Sequence, residues 1–207
     1  MPEVDGFGTL HLDRPAKVRA ELTEFSDGVS IFFVEGPRNQ PNKADLRRLI
    51  LRNPIMWVTD WILYVVWGVP GLLLTKKWGP VDGSITESVS QEEDIEIEPV
   101  DLNLVRRASD VSIWVSIFSW FMLLLSIALV FLSVLWGSWN LTVLAMVVGF
   151  LPVVPFAFGT LSERDAEMAK NIDEILSNRD DVQRTCIIAG RRHIDGVVDE
   201  LEKGMCV

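Results

Sequence analysis

This chain of 207 residues has few of the side chains that build disulfides and metal centres. It contains only two cysteines and two histidines. Cys186 lies in an apolar run and Cys206 lies one residue before the carboxyl end, so we expect no disulfide between them. The sequence also lacks a Cys-based metal motif, a phosphate-binding glycine loop, a dinucleotide-binding fingerprint and internal repeats. These absences argue against the enzyme classes that such motifs mark.

Positive charge is also scarce. The formal net charge is −10, from 19 basic and 29 acidic residues, which excludes nucleic acid as an expected partner. Such an acidic composition is typical of halophiles, whose surface carboxylates keep proteins soluble in high salt, and equally of an ordinary acidic surface. Residues 1–53 contain no apolar run of the signal-peptide kind, so we expect no signal peptide.

Long apolar runs dominate the middle of the chain. With 49% hydrophobic and 23% charged residues, the chain is expected to alternate between soluble and membrane segments. Residues 111–136 and 141–161 carry no charge, and each run exceeds the roughly 20 residues that span a bilayer. The four residues between them include Trp139, and tryptophan favours the membrane interface. These runs predict a transmembrane helical hairpin.

An earlier apolar segment, residues 55–75, leaves two interpretations open. Asp60 lies inside it and a glycine- and proline-containing sequence at 68–71 is expected to break it, so we favour a re-entrant or interfacial helix over a third span. Basic residues flank the segment and precede the hairpin: Arg47, Arg48, Arg52, Lys76, Lys77, Arg106 and Arg107. If the segment does not cross, the positive-inside rule places both chain ends in the cytoplasm of a multi-pass protein of the cell membrane.

The two ends of the chain each have an α/β pattern. Residues 7–12 predict a strand, Pro15 starts a helix, and residues 29–34 predict a buried strand, which together form a parallel β-α-β unit. Near the carboxyl end, a helix from residue 162, a strand at 185–189 and a final helix repeat the pattern. We therefore predict a mixed α/β fold with a small, mainly parallel sheet and flanking helices, split by the membrane segments.

This interpretation divides the chain into five parts. Residues 78–110 form an acidic linker, which we predict to be a solvated loop with a short edge strand around Ile95 and Ile97. The other parts are the amino-terminal half of the α/β domain (1–53), the first membrane segment (54–77), the hairpin (111–161) and the carboxyl-terminal half of the domain (162–207).

Polar residues follow or end three of the predicted strands. His11 follows the first strand, Glu35 ends the second and His193 follows the last. Ligands of open α/β sheets bind beyond the carboxyl ends of parallel strands, so we expect these three side chains to converge. Asp165, in the first turn of a helix, is expected to point inward at the same end. The sequence therefore predicts one polar site assembled from both ends of the chain.

These residues occur in an ordered set of motifs that resembles the TraB family, which includes the Tiki proteases. The motifs are GTLH at residues 8–11, Glu35 followed closely by Arg38, Glu-Arg-Asp at 163–165, and GRRH at 190–193 with Gly196 shortly after. The resemblance implies an α/β domain and metal-dependent peptide hydrolysis. It also implies that His11, Glu35 and His193 are ligands or catalytic groups and that Arg38 holds an anionic substrate group or a carboxylate.

The residue types leave the chemistry open between two forms of site. Two imidazoles with one or two carboxylates suit a divalent transition metal such as Zn, Mn or Co. Glu163 or Asp165 would then act as general base or orient a histidine. Without a metal, each histidine would be hydrogen bonded to a carboxylate or the backbone. Arg38 and Arg164 would either bind substrate or form a salt bridge to Glu35 or Asp165.

Three functions are consistent with these patterns. The first is a membrane-anchored, metal-dependent hydrolase that acts on peptides, with His11, His193 and Glu35 as metal ligands and Glu35, Glu163 or Asp165 as catalytic carboxylates. The second is a non-catalytic membrane regulator that binds a peptide or signal in the same crevice. The third is a degenerate relative whose hairpin packs in the bilayer with other membrane subunits or as a homo-oligomer.

Overall fold

The α/β part of the chain is built on a four-stranded parallel sheet. The computed structural model describes residues 3–9, 14–154, 156, 160–179 and 181–205. The strands follow the order β1-β4-β2-β3, and every neighbouring pair is parallel. They are β1 (Glu3–Thr9), β2 (Ile31–Pro37), β3 (Glu96–Asp101) and β4 (Arg184–Gly190). The strands nearest the two chain ends, β1 and β4, are therefore neighbours in space.

The helices belong to two compact units. One unit comprises the described parts of Met1–Arg38, Tyr64–Leu102 and Leu161–Val207, and the other comprises Asn39–Leu63 and the described parts of Asn103–Thr160. The helices are α1 (Pro15–Phe25), α2 (Lys43–Arg52), α3 (Pro54–Thr75), α4 (Val81–Glu93), α5 (Leu104–Ser109), α6 (Ile113–Trp136), α7 (Trp139–Phe150), α8 (Leu161–Ser177) and α9 (Arg191–Met205).

Apolar side chains cover both faces of the sheet, as a parallel sheet requires. The central strand β2 is buried at Ile31, Phe32 and Phe33. Phe32 packs on one face with side chains from α1, α4 and β4, and Phe33 packs on the other with side chains from α8, β4 and α9. The predicted parallel α/β fold with flanking helices is confirmed, and α1 begins at Pro15 as expected.

The first strand was predicted too late in the sequence. Residues 7–12 were expected to form it, whereas β1 begins at Glu3 and is described to Thr9, and residues 10–12 lie outside the described residues. Its first residues include Glu3 and Asp5, whose charges hide the strand pattern. The Asp5 carboxylate lies 2.7 Å from Nη2 of Arg184 on the neighbouring strand, so a cross-strand ion pair replaces the expected apolar contact.

The prediction of a solvated loop between residues 78 and 110 is wrong. Helix α4 occupies much of this segment and buries Val81, Ile85 and Val89, which lie on one helical face four residues apart. The acidic residues Glu92, Glu93 and Asp94 are exposed at the end of the helix. The edge strand expected around Ile95 and Ile97 is confirmed as β3, which pairs only with β2 among the described strands.

Two of the described helices are long and apolar enough to cross a membrane. Helix α3 has 22 residues with a mean hydropathy of 1.5, and α6 has 24 residues with a mean hydropathy of 2.5. The predicted break at 68–71 is wrong, because α3 continues through Pro70. Helix α7 has only 12 residues and ends at Phe150, short of the single helix predicted over 141–161.

In the second unit, α6 packs with its polar face inward. Its buried residues are Ser116, Ser119 and Ser133, while large apolar side chains are exposed along the rest of the helix, Trp114 and Phe131 among them. The Ser119 hydroxyl donates to the Asn53 side chain at 2.9 Å, and the Thr142 hydroxyl of α7 donates to Ser133 at 2.9 Å. This distribution is the reverse of that in a soluble helix and is typical of helix packing in lipid.

Candidate functional site

The carboxyl ends of β2 and β4 bring Glu35 and His193 together. Glu35 lies near the end of β2, and His193 lies in the first turn of α9, which follows β4 directly. The Gly190 N–H donates to Glu35 Oε2 at 2.8 Å, and His193 Nε2 lies 4.0 Å from Glu35 Oε1. His193 is only 6% exposed. Two of the three residues expected to converge are therefore neighbours, and His11 lies outside the described residues.

Asp165 holds the other side of the His193 ring. It lies one turn into α8, which begins at Leu161, and its Oδ1 is 2.5 Å from His193 Nδ1. With the proton on Nδ1, the imidazole donates to Asp165 and leaves the Nε2 lone pair facing Glu35. Asp165 thus points inward, as its helical position predicts, and fixes the orientation and tautomer of His193. The exposed Glu163 lies two residues earlier on the same helix.

Arg164 joins the site as a buried ion pair with two carboxylates. Its Nη2 donates to Glu35 Oε1 at 2.5 Å, and its Nε lies 3.1 Å from both oxygens of Asp101 at the end of β3. Burial lowers the pKa of Arg164, but Asp101 and Glu35 outweigh that effect and raise it above its ordinary value. This geometry favours a salt bridge for Arg164 over direct substrate binding. Glu35, one of its two partners, is a carboxylate that the sequence predicted for this salt bridge.

Arg38 forms a different ion pair from those expected. Its guanidinium donates to Asn171 Oδ1 at 2.9 Å and to Glu174 Oε2 at 2.8 Å, both on α8. The expected pairing with Glu35 or Asp165 is therefore wrong. The physical reason is position, because Arg38 follows the end of β2 and lies beside Asn171 and Glu174, which are later in α8 than Asp165.

Glycines allow the close approaches that form this site. A Cβ atom at Gly196 would overlap the Asp165 carboxylate, and one at Gly190 would lie 3.3 Å from Glu35 Oε2. At Gly8, a Cβ atom would lie 3.0 Å from Cα of Arg191, where α9 begins beside β1. Close packing therefore explains why glycine occurs at three positions: Gly8 in the GTLH motif, Gly190 in the GRRH motif, and Gly196.

Gly196→Ala is expected to disturb Asp165 and His193 together. Alanine normally stabilises a helix by about 1 kcal/mol relative to glycine, but here the methyl group must displace Asp165, at a cost of about 1–3 kcal/mol. We expect a lower melting temperature and a changed ¹H–¹⁵N NMR signal of the His193 ring. Gly83→Ala in α4 is the matched control, since nothing lies within 4 Å of its added Cβ. An unchanged imidazole signal in Gly196→Ala would contradict the idea that Gly196 leaves room for the contact between Asp165 and His193.

The pKa of Glu35 is set by opposing effects. Burial raises it, but the Arg164 guanidinium and the Gly190 N–H outweigh burial, so the pKa lies below its ordinary value of 4.5. The ionised carboxylate therefore stabilises the folded chain above pH 4.5, and this contribution is lost as pH falls through the lower folded-state pKa. Glu35 is thus ionised at neutral pH.

Glu35→Gln should be less stable than wild type at about pH 7, and the difference should shrink between about pH 5 and pH 3. Glutamine keeps the size and an acceptor oxygen for the Gly190 N–H, so the variant removes mainly the charge. Melting temperatures of both proteins across this pH range measure the effect. A stability difference that is equal at both ends of the range would show that the charge of Glu35 is not responsible.

A cavity of about 410 Å³ opens beside Glu35. Its wall includes Thr9, Asp82 and Gly190, together with the apolar side chains of Val34, Ile97 and Ile188. The Thr9 hydroxyl donates to Asp82 Oδ2 at 2.7 Å. The cavity therefore combines an apolar surface with carboxylates, and Glu35 lies both on its wall and next to His193.

Asp82 and Asp101 were missed by the sequence analysis. Asp82 lies in the first turn of α4, inside the segment predicted to be a loop, so nothing in its pattern marked it. Asp101 could have been found, because it ends the β3 strand and thus lies at the same sheet edge as Glu35. Its signal was hidden by the many other acidic residues of the segment.

The described donors fit part of the expected metal site. The described residues contain no group of three His, Cys, Asp or Glu side chains arranged to hold a metal. His193 Nε2 and Glu35 Oε1 are 4.0 Å apart, within the reach of two ligands that share one ion at about 2.1 Å each. The Asp165 contact is of the kind that orients metal-bound histidines. Binding would require Glu35 to exchange Arg164 for the metal, and His11 would be the third ligand.

Comparison of the chain with models of protein families, with curated proteins and with solved structures finds no match.

Proposed function

We propose that this chain is a membrane-associated hydrolase of the TraB type that cleaves peptides at a site formed by His193, Asp165 and Glu35. The observation that carries the proposal is the position of His193. It lies between two carboxylates, 2.5 Å from Asp165 and 4.0 Å from Glu35. The site lies at the sheet edge where α/β proteins bind ligands, beside a cavity of about 410 Å³.

The chemistry follows from the hydrogen bonds of His193. In amide hydrolysis, water adds to the carbonyl carbon and the C–N bond breaks. Nε2 of His193 takes the proton from the water and returns it to the leaving amine, while Asp165 stabilises the imidazolium between the two steps. A Zn, Mn or Co ion held by Nε2 of His193, by Glu35 and by His11 would occupy the lone pair of that nitrogen, so it would take the place of His193 as the group that activates the attacking water.

The cavity wall, Arg164 and Arg38 would take part in binding the peptide and in positioning Glu35. The apolar wall at Val34, Ile97 and Ile188 would hold a substrate side chain, with the scissile bond towards Glu35. Arg164 keeps Glu35 ionised and in place, and is thus a positioning residue. Arg38 contacts Glu174 at the surface, which leaves it available for the anionic end of a peptide only if that ion pair opens.

A test of this function needs only the full chain and a peptide mixture. The chain, purified in a neutral detergent with and without added Zn²⁺, Mn²⁺ or Co²⁺, is incubated with a library of short peptides, and new termini are read by mass spectrometry. Reproducible cleavage at defined residue types supports the proposal. Absence of cleavage under all four conditions, from a chain with a cooperative thermal transition, would contradict it.

A non-catalytic regulator is the second candidate, and one observation favours it. Both oxygens of Glu35 already accept hydrogen bonds, from Gly190 and Arg164, which suits a charge-balanced binding site. A regulator would bind peptides in the cavity without cleaving them, and Glu35→Gln would keep its function. The same incubation, followed by separation of bound peptides, distinguishes binding from turnover.

The sheet order supports an even number of membrane crossings between its strands. Strands β2 and β3 are neighbours, and α3 is the one long apolar helix that the structure describes between them. If α3 crossed the bilayer, those strands would lie on opposite sides and could not pair. We therefore propose that α3 lies in the interface, while α6 crosses and the segment containing α7 returns. From the flanking basic residues we also propose that the α/β unit lies in the cytoplasm.

Cysteine labelling from the two sides of the membrane tests this topology. With Cys206 replaced by serine, single cysteines at Glu24 and Glu202 should react only from the cytoplasm, and one at Asn140, in the first turn of α7, only from outside. The native Cys186 does not interfere, because burial raises the pKa of its thiol to about 12. Reaction of all three cysteines from the same side would overturn the hairpin.

A further inference from the structure

A second cleft, separate from the cavity beside Glu35, carries cations and hydroxyl groups. It has a volume of about 280 Å³ and lies where α1 and α4 meet the end of α3. Arg19 and Lys77 line it together with the hydroxyl residues Thr75, Ser84 and Ser88. The two cavities share no lining residue. The three hydroxyl groups donate within the chain, to Gly71 O, Pro80 O and Glu92. The two cations are therefore the groups suited to the oxygens of a phosphate group.

Helix α1 adds to this preference for an anion. Its first residues, Pro15 and Ala16, line the cleft. The first turn contains no acidic side chain, and the N-cap residue Arg14 makes no side-chain hydrogen bond to the helix. The positive end of the helix dipole thus faces the cleft, and no carboxylate within the described first turn compensates it.

The two cations are held by ion pairs that a ligand can displace. Lys77 Nζ lies 2.6 Å from Glu87, and Arg19 Nη2 donates to Glu92 Oε1 at 2.6 Å. All four side chains are about half exposed. Ion pairs in such positions contribute little to stability, so a phosphate can replace either carboxylate at small cost.

The surroundings of the cleft are those of a membrane interface. The last turn of α3 exposes Leu72, Leu73 and Leu74, and the next residues include the exposed Lys76 and Lys77. The surface thus changes from apolar to cationic within about one helical turn.

Aromatic residues lie at the same boundary. The chain folds back after α3 so that Trp78 packs on Tyr64, with ring centroids 5.6 Å apart. Gly68 leaves room for the indole, since a Cβ atom there would overlap it. Tyrosine, tryptophan and lysine side chains concentrate at the level of lipid headgroups.

We propose that this cleft binds the phosphate of an anionic phospholipid headgroup. The proposal rests on the interfacial position of α3 and is independent of hydrolysis at His193. A headgroup phosphate would accept hydrogen bonds from Arg19 and Lys77 while its acyl chains contact the leucines at the end of α3. The site would hold the cytoplasmic unit against the anionic leaflet.

The experiment compares lipid binding by the full chain and by charge variants. The chain in neutral detergent is titrated with phosphatidylglycerol, with phosphatidylcholine or with inorganic phosphate, and bound ligand is counted by native mass spectrometry. We expect Arg19→Gln and Lys77→Gln each to weaken phosphatidylglycerol binding about fivefold, and the double variant about 30-fold. Lys77→Arg should retain binding, because it keeps the charge.

Arg179→Gln is the matched control, since it also removes a partly exposed guanidinium paired with glutamate, here Glu96. It should bind phosphatidylglycerol as wild type does. Equal weakening by Arg179→Gln would show that net charge alone matters and would overturn the proposal. Binding of inorganic phosphate with the affinity of the lipid would also overturn it, in favour of a free anion. Peptide turnover by the wild-type chain, assayed separately, distinguishes this failure from failure of the proposed hydrolase.

Discussion

His193→Ala should lower peptide hydrolysis about 10²–10⁴-fold. The substitution removes Nε2, which accepts the proton from water in the metal-free site or binds the ion in the metal-bound site. His193 lies 2.5 Å from Asp165 and 4.0 Å from Glu35, so no neighbouring group can take over its position. Initial rates on the best cleaved peptide, together with the metal content of the purified chain, measure the effect.

Two further variants separate the loss of chemistry from a loss of folding. His193→Gln keeps most of the side-chain volume and an N–H group that can reach Asp165, so it should fold and remain inactive. Asp195→Asn changes an exposed carboxylate on the same helix and should retain activity. If His193→Gln hydrolysed peptides at the wild-type rate, the catalytic role of this residue would be wrong.

Arg164→Met should destabilise the fold by about 3–5 kcal/mol. The methionine removes the only positive charge that the structure places between Glu35 and Asp101, among the residues it describes, and leaves two buried carboxylates in mutual repulsion. The Arg164 side chain is only 13% exposed, so water replaces the guanidinium less well than it would at the surface. A decrease of about 10 °C in melting temperature is expected for a chain of this size.

Arg38→Met is the control for this effect. Arg38 also joins β2 to α8 through an ion pair, but its side chain is 33% exposed, and exposed pairs contribute little. Its melting temperature should stay close to that of wild type. The Arg164→Met defect should lessen at acidic pH, because protonation of Glu35 removes its repulsion with Asp101. Equal decreases in melting temperature for Arg164→Met and Arg38→Met would show that burial does not make the Arg164 ion pair more stabilising than an exposed one.

Local patterns predicted several elements well. Pro15 correctly marked the start of α1, because proline fits the first turn of a helix. The inward position of Asp165 followed from helical periodicity. Predictions from local patterns were wrong where a strand contains charged residues or a helix contains proline. Strand β1 begins at Glu3, and helix α3 continues through Pro70. In those places packing outweighed local preference.

Partners of charged residues were harder to predict than their positions. Arg164 was expected to pair with Glu35 or Asp165, and the structure pairs it with Glu35 and with Asp101. For Arg38 we expected either substrate binding or a salt bridge to one of the same carboxylates, and the ion pair that the structure shows is with Glu174. Any of the many acidic residues could have served each arginine, and only the register of β2, β3 and α8 selects among them. Asp82 was missed because an amphipathic helix lay within an acidic segment.

The sequence by itself determined that this chain contains parallel α/β segments at both ends and long apolar helices between them. These properties follow from the period and length of apolar runs, which depend on neighbouring residues alone. Only the tertiary structure decided that β4 lies between β1 and β2, that β3 pairs with β2 across the intervening α3, and that Asp165 and Glu35 flank His193. Such pairings join residues far apart in the chain, and their free energy comes from packing and hydrogen bonds that exist only once the sheet has formed.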